Sequence, residues 1–381
     1  MRRTTLFLYL DTLGYDLIQE SGFLADLAPY RYRLRTVLGY SYASLPTVLT
    51  GVSPREHGCW MPFSYSPDES PFRRFAFLRH IPHRITDSPR IRARIARLMA
   101  RRLHWTADLD LLNVSFGALP LFDVPAQRDL FEPGALAPCA TAIDRLHHEH
   151  IPFLLGDRHA TDAQNIDRAM AALEKREVPF ILLHLRELDP ILRQTGPRSD
   201  VAREKLRACE SAIRRLVEAA SRDDGLVRLY VGTAHGVAEV KETLDLRSRV
   251  GSARLAPGAD YIAFYDPTMV RFWFAEPSAR HRVMATLADV DAGRWLLDDQ
   301  LRIEGIYFPD RRFGEAVFLL DSGTYCFPND HHAHPVAATD GYYPEESASW
   351  GAFCANFPLE IPPRLIGDLA ALILEGARWA R

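Results

Sequence analysis

The stretch that decides the fold is "TLFLYLDTLGYDLIQESGFLADLA", residues 5–28. A short apolar run, Leu6 to Leu10, ends in a carboxylate at Asp11, and from Gly14 to Ala28 the apolar residues take helical spacing. Similar apolar runs recur at "FILLHLRELD" (180–189), "RLYVGT" (228–233) and "YIAFY" (261–265), with helical segments such as "SDVAREKLRACESAIRRLVEAASR" (199–222) between them. Strands alternating with helices predict an α/β fold whose mostly parallel sheet is covered on both faces. Ligands of such sheets bind beyond the carboxyl ends of the strands. Asp11, Asp189 and His235 each fall at or just past such an end, so they are the first site candidates.

At 381 residues the chain is long enough for one large α/β domain, or a core domain with a cap. Its 47% apolar and 25% charged residues are ordinary for a soluble globular protein. A net charge of −3 is too small to indicate a nucleic-acid or membrane partner by itself. Cys59, Cys139, Cys209, Cys326 and Cys354 are widely spaced, with no CxxC pair, and read as reduced thiols. The opening "MRRTTLFLYLD" lacks the long apolar region of a signal peptide. No run approaches the roughly 18 apolar residues of a membrane-spanning helix. The expected location is cytoplasmic.

Residues 61–150 differ from their surroundings in their prolines, aromatics and arginines. They are expected to form a cap or insert over the site, with 1–60 and 151–381 making the core domain. Within them, "PRIRARIARLMARRL" (89–103) sets Ile91, Ile95, Leu98 and Met99 on one helical face and Arg92, Arg94, Arg97 and Arg101 mostly elsewhere. Such a helix either packs on the core with solvated arginines or touches an anionic surface, as in peripheral membrane contact or the gathering of phosphorylated substrates. The tail "LIGDLAALILEGARWA" (365–380) reads as an ordinary terminal helix.

Four segments carry a family resemblance. "LFLYLDTLGYDLIQ" followed by "LGYSYASLPTVLTGVSPREHGCW" resembles the opening of the type I phosphodiesterase/nucleotide pyrophosphatase branch of the alkaline phosphatase superfamily, with "TGVSPREHG" at 50–58. "LDPILRQTGPRSDVAREKLRACESAI" (188–213), "GTAHGV" (232–237) and "ATDGYYPEESASWGAFCAN" (338–356) follow in the family's order. The resemblance implies an alkaline-phosphatase-like α/β/α sandwich. It places the nucleophile on Ser41 and a phosphoryl-binding hydroxyl on Ser44. It also places metal ligands on Asp11, Asp189, His235 and Asp340. A serine hydroxyl becomes a competent nucleophile only when a metal or a base takes its proton. A helix starting just after it aims backbone N–H groups at phosphate.

Three ligand positions depart from the family. Its metal-binding His falls on Arg193, a carboxylate falls on Ala234, and its last ligand His becomes Asp340. Arg is no cation ligand, and it presents a planar fork suited to clamping an oxyanion. Carboxylate-for-imidazole at 340 is tolerable for zinc and suits Mn²⁺ or Mg²⁺ better. The implied cofactor is a divalent metal, zinc as the usual ion, in one site rather than two, or in none.

Two readings stand side by side. In one, a single metal held by Asp11 and His235 activates Ser41 to attack a phosphoester, and Arg193 and Ser44 stabilise the transferred group; the enzyme is a hydrolase, or a transferase acting on a lipid- or sugar-linked phosphate. In the other the site is catalytically retired and binds a ligand or partner. "PNDHHAHP" (328–335), with Asp330, His331, His332 and His334, is either a polar surface loop or a second source of metal ligands. His57 is expected to be structural. His184 and Glu187 are expected to pack at the core or rim.

Overall fold

The computed structural model describes residues 2–81, 88–107, 109–222 and 225–381. Residues 82–87 and Asp108, inside the expected cap, therefore lie outside the described residues. Ten strands matter below: β1 (Arg3–Thr12), β2 (Tyr30–Leu34), β3 (Phe153–Leu155), β4 (Phe180–Leu185), β5 (Leu226–His235), β6 (Tyr261–Tyr265), β7 (Met269–Phe274), β8 (Gly293–Leu296), β9 (Ala316–Leu320) and β10 (Gly351–Ala355). The helices are α1 (Ser41–Thr50), α2 (Pro89–Leu103), α3 (Asp162–Lys175), α4 (Leu188–Thr195), α5 (Asp200–Ala220) and α6 (Asp368–Ala380).

The main sheet runs β2–β10–β5–β1–β4–β3. Its β5, β1, β4 and β3 are parallel, and β10 pairs antiparallel with both β2 and β5. β1 lies near its centre and is buried on both faces, which explains why its sequence reads as a continuous apolar run. Leu6, Leu8 and Leu10 join the core under α3 and α5. Phe7 and Tyr9 point the other way, into the core shared with α6. This is an α/β/α sandwich, as the alternation of strands and helices predicts.

Two sequence expectations change. The helix expected over 14–28 ends at Ser21, because Gly22 takes a left-handed φ of 66° and stops it. The run 261–265 does not join the parallel sheet; β6 belongs to a separate four-stranded antiparallel sheet, β6–β7–β9–β8. A short apolar run specifies burial and leaves its partner strand open.

Residues 61–124 pack their own aromatic core, with Phe63, Phe72 and Phe122 against Phe264 and Trp273 of the second sheet. α2 sits on this core through Ala96 and Met99, both buried. Leu98, expected on the apolar face, is 54% exposed. Arg92, expected outward, turns in to donate to the carbonyls of Leu111, Leu112 and Val114. The helix is thus rotated so that the smaller Ala96 makes the close approach.

Candidate active site

Strand register assembles the site. β1 pairs Tyr9 with His184 of β4, and Thr12 with His235 of β5. The Asp11 carboxylate therefore emerges between two imidazoles at the carboxyl end of the sheet. His184 Nε2 donates to Asp11 Oδ1 at 2.5 Å. Burial pushes the Asp11 carboxyl up, but the His184 imidazole, with His235 and Arg186 nearby, holds it below the usual carboxylate range. His184 was expected to be a packing residue. Its ring does pack, against Tyr9 and Phe131, and its Nε2 also meets Asp11, a contact that only the register with β1 reveals.

His235 closes β5, and its backbone is locked. The Leu13 N–H donates to the His235 carbonyl, and a Cβ on Gly236 would lie 2.4 Å from the Ala348 carbonyl oxygen. That explains the glycine in "AHG". His235 Nδ1 donates to the Gly236 carbonyl at 3.1 Å, which leaves Nε2 facing the site. Nε2 lies 3.4 Å from Ser41 Oγ and 3.3 Å from Asp340 Oδ2.

Ser41 opens α1, where Tyr40 is the N-cap and accepts from the N–H groups of Ala43 and Ser44. The N–H groups of Ser41 and Tyr42 have no acceptor among the described residues. Orphan donors of this kind, together with the helix dipole, favour an anion. Ser44 is buried beneath them, and its hydroxyl has no partner among the described residues. The "TGVSPREHG" turn ties α1 down through buried His57. The Cys59 N–H donates to Nδ1, so Nε2 carries the proton and donates to Thr47 Oγ1 at 3.0 Å. His57 is a structural residue.

Asp189 lies in the first turn of α4, the helix that directly follows β4, and receives a hydrogen bond from the Thr12 hydroxyl. Arg193, one turn later, donates Nε to both Asp189 oxygens at 2.9 Å and Nη1 to Asp340 Oδ1 at 2.7 Å. Asp340 is nearly fully buried. Burial pushes its carboxyl up, and Arg193 and His235 outweigh that and hold it below the usual range. The Gly341 that follows has φ 91°, and a Cβ there would meet Tyr40 at 2.3 Å, so this turn requires glycine.

Ser41 and Tyr42 separate two cavities. One, about 690 Å³, is lined by Asp189, Arg193, Asp340, His331 and His332, with Arg92 and Arg97 of α2 on its far wall. The other, about 280 Å³, is more apolar, with Met61, Leu130 and Phe131 and a rim of Arg158 and Arg186. The 328–335 segment is a surface loop only in part: Pro328 and Ala333–Pro335 are exposed, and the residues between them are tied inward. His331 Nε2 donates to Asp266 at 2.8 Å, and Asp266 is paired with fully buried Arg271. His332 Nδ1 contacts the Tyr325 hydroxyl at 2.8 Å, while Asp330 binds Arg247 and the Tyr265 N–H. His334 is exposed. These side chains are committed to the fold and do not converge as a ligand set.

The profile of type I phosphodiesterase / nucleotide pyrophosphatase matches residues 5–342. The chain belongs to this family. No protein of curated function matches the sequence. Among solved structures, human ectonucleotide pyrophosphatase/phosphodiesterase 5 superposes with a TM-score of 0.68 at 10% identity, covering 99% of this chain and 95% of that one. The murine protein gives 0.67 at 11% identity with the same coverage. An inactive variant of the murine protein in complex with AMP gives 0.67 at 12%, again over 99% and 95%. At such identities these likenesses establish the fold.

Members of the family typically depend on divalent metals. Among the described residues no three His, Cys, Asp or Glu side chains converge as a metal-ligand group. Arg193 fills the space between Asp189 and Asp340, and position 234 offers a methyl group. Asp11 spends one oxygen on His184. The side chains as placed do not fit a pair of divalent cations.

Proposed function

We propose that this chain is a phosphoester hydrolase or phosphoryl transferase acting on a phosphodiester or nucleotide pyrophosphate, with Ser41 as nucleophile. The observation that carries this reading is the position of Ser41 Oγ, 3.4 Å from His235 Nε2 at the start of α1 and on the wall of both cavities. His235 Nε2 takes the hydroxyl proton as the Oγ–P bond forms and the ester P–O bond breaks; the leaving alcohol draws its proton from solvent. Asp340 Oδ2, 3.3 Å away, stabilises the resulting imidazolium. Arg193 keeps Nη2 free of the bonds made by Nε and Nη1, and with the Ser41 and Tyr42 N–H groups it neutralises charge on the phosphoryl oxygens. Water or an acceptor alcohol then displaces phosphorus from Ser41, and His235 returns the proton to Oγ.

Two cavities meeting at the nucleophile suit a substrate with a limb on each side of phosphorus. Phosphorylated small molecules and lipid-linked phosphates both have this form. The outer face of α2 carries exposed Arg90, Arg94, Arg101 and Arg102 around exposed Leu98, which favours contact with an anionic membrane surface as a second element of the reading. The test is hydrolysis of bis-p-nitrophenyl phosphate by the wild type and by Ser41→Ala. Equal rates in the two would overturn the assignment. A phosphorylated Ser41 that turns over only when an alcohol is added would make the protein a transferase. A silent wild type that still binds phosphate esters would make it a binding protein on the same scaffold.

A further inference from the structure

Each acidic side chain at the carboxyl edge of the sheet is already matched by a partner from the same chain. Asp11 accepts from His184, with Nε2 to Oδ1 at 2.5 Å. Asp189 accepts from Arg193 Nε through both oxygens and from the Thr12 hydroxyl. Asp340 accepts from Arg193 Nη1 at 2.7 Å through Oδ1, while Oδ2, 3.3 Å from His235 Nε2, has no hydrogen-bond partner among the described residues. Three carboxylates therefore face one guanidinium and two imidazoles.

We infer that this site has exchanged metal charge for built-in cationic and hydrogen-bonding side chains. Arg193 holds the centre between Asp189 and Asp340, His184 caps Asp11, and the phosphoryl group is received without a divalent ion. An incoming cation would have to break three short Arg193 contacts and then sit beside a guanidinium that stays charged at any working pH. It would gain no ligand from Ala234. The anchor of Arg193 is itself rigid: its backbone carbonyl accepts from the Ala337 N–H at 2.8 Å, which ties α4 to the strand that leads into Asp340. Both ends of the Asp189–Arg193–Asp340 bridge thus move as one unit.

This inference concerns the charge balance of the site and stands apart from whether Ser41 turns over. The deciding measurement is elemental analysis of the full-length protein, purified without chelator, dialysed, and then offered zinc, manganese or magnesium salts. The expected wild-type result is less than about 0.1 metal per chain, and a melting temperature within about 1 °C with or without EDTA, since a ligand that binds only the folded state would raise it. Stoichiometric metal that survives dialysis, and that takes melting temperature with it when EDTA removes it, would overturn the inference. Arg193→Gln strips the central charge; it should melt lower and recover with added zinc or manganese, which can then enter between Asp189 and Asp340. Arg193→Lys keeps a charge, and should melt closer to the wild type and ignore metal. An Arg193→Gln variant as stable as the wild type would also count against the inference. A wild type that is metal-free yet fails to hydrolyse any phosphodiester leaves this inference standing and removes the catalytic reading instead.

Discussion

Asp11 and His184 come from adjacent parallel strands and meet as a carboxylate and an imidazole 2.5 Å apart, with His184 Nδ1 buried and unpartnered among the described residues. His184 thus has one polar contact there, and that contact is Asp11. Its value is tested by removing the donor. His184→Ala should destabilise the fold by about 1–3 kcal/mol, the typical cost of leaving a charged acceptor without its partner. His184→Gln, which keeps an N–H donor, should lose less. Urea unfolding at neutral pH measures both, and equal midpoints for the two variants would show that packing of the ring decides the effect.

His235 is placed to act as base, so its loss should appear in turnover and hardly in substrate affinity. His235→Gln is expected to lower kcat by about 10²–10⁴-fold, the usual contribution of a positioned base. KM should change little, because Arg193 and the α1 N-terminus remain to hold the phosphate. A variant with wild-type kcat would move the base elsewhere.

Two other histidines set an acid limit on stability. Burial pushes both His57 and His332 down to about 4 from 6.5. Each is therefore neutral in the fold, and its contribution is complete above pH 6.5. As pH falls from 6.5 to 4 the unfolded chain takes up protons that the fold refuses, so stability declines through that window. At pH 5 each residue should cost about 2 kcal/mol relative to pH 7.5. Urea titrations at the two pH values read the loss, and in His57→Gln the drop should shrink by about one residue's share.

The outward stripe of α2 makes a prediction about surfaces. Arg94→Glu with Arg101→Glu and Arg102→Glu should abolish co-sedimentation with phosphatidylserine vesicles, since each arginine near such a surface is worth about 1 kcal/mol. Wild-type binding should weaken as salt rises from 0.05 to about 0.3 M, as the Debye length shortens. Sedimentation that ignores anionic lipid would leave α2 as a wall of the cavity and nothing more.

Much of this site is legible in the sequence because chemistry at strand ends leaves a local mark. Asp11 and His235 each terminate an apolar run, and the glycine after His235 signals a turn too tight for a side chain. Ser41 is legible through the spacing of "TGVSPREHG". His184 is not, because it sits inside "FILLHL" and looks like one more strand residue. What gives it a role is its lateral neighbour on β1, and a single sequence says nothing of which strands lie side by side. The same blindness hid the antiparallel sheet formed by β6 and its partners, and it hid the inward ties of residues 329–332. Polar residues held by Asp266, Tyr325 and Arg247 carry no local sign of those distant partners.

Gly14 and Gly236 hold the ends of β1 and β5 together. A Cβ on Gly14 would lie 2.7 Å from the Gly236 Cα, so the loops leaving β1 and β5 touch backbone to backbone. With the Thr233 hydroxyl donating to the Leu13 carbonyl at 2.7 Å, the two loops are pinned like the halves of a closed clasp. The spacing of the Asp11 and His235 backbones is therefore set by main-chain contact. Side chains at 193 and 234 can change the charge offered to a substrate while that frame stays where it is.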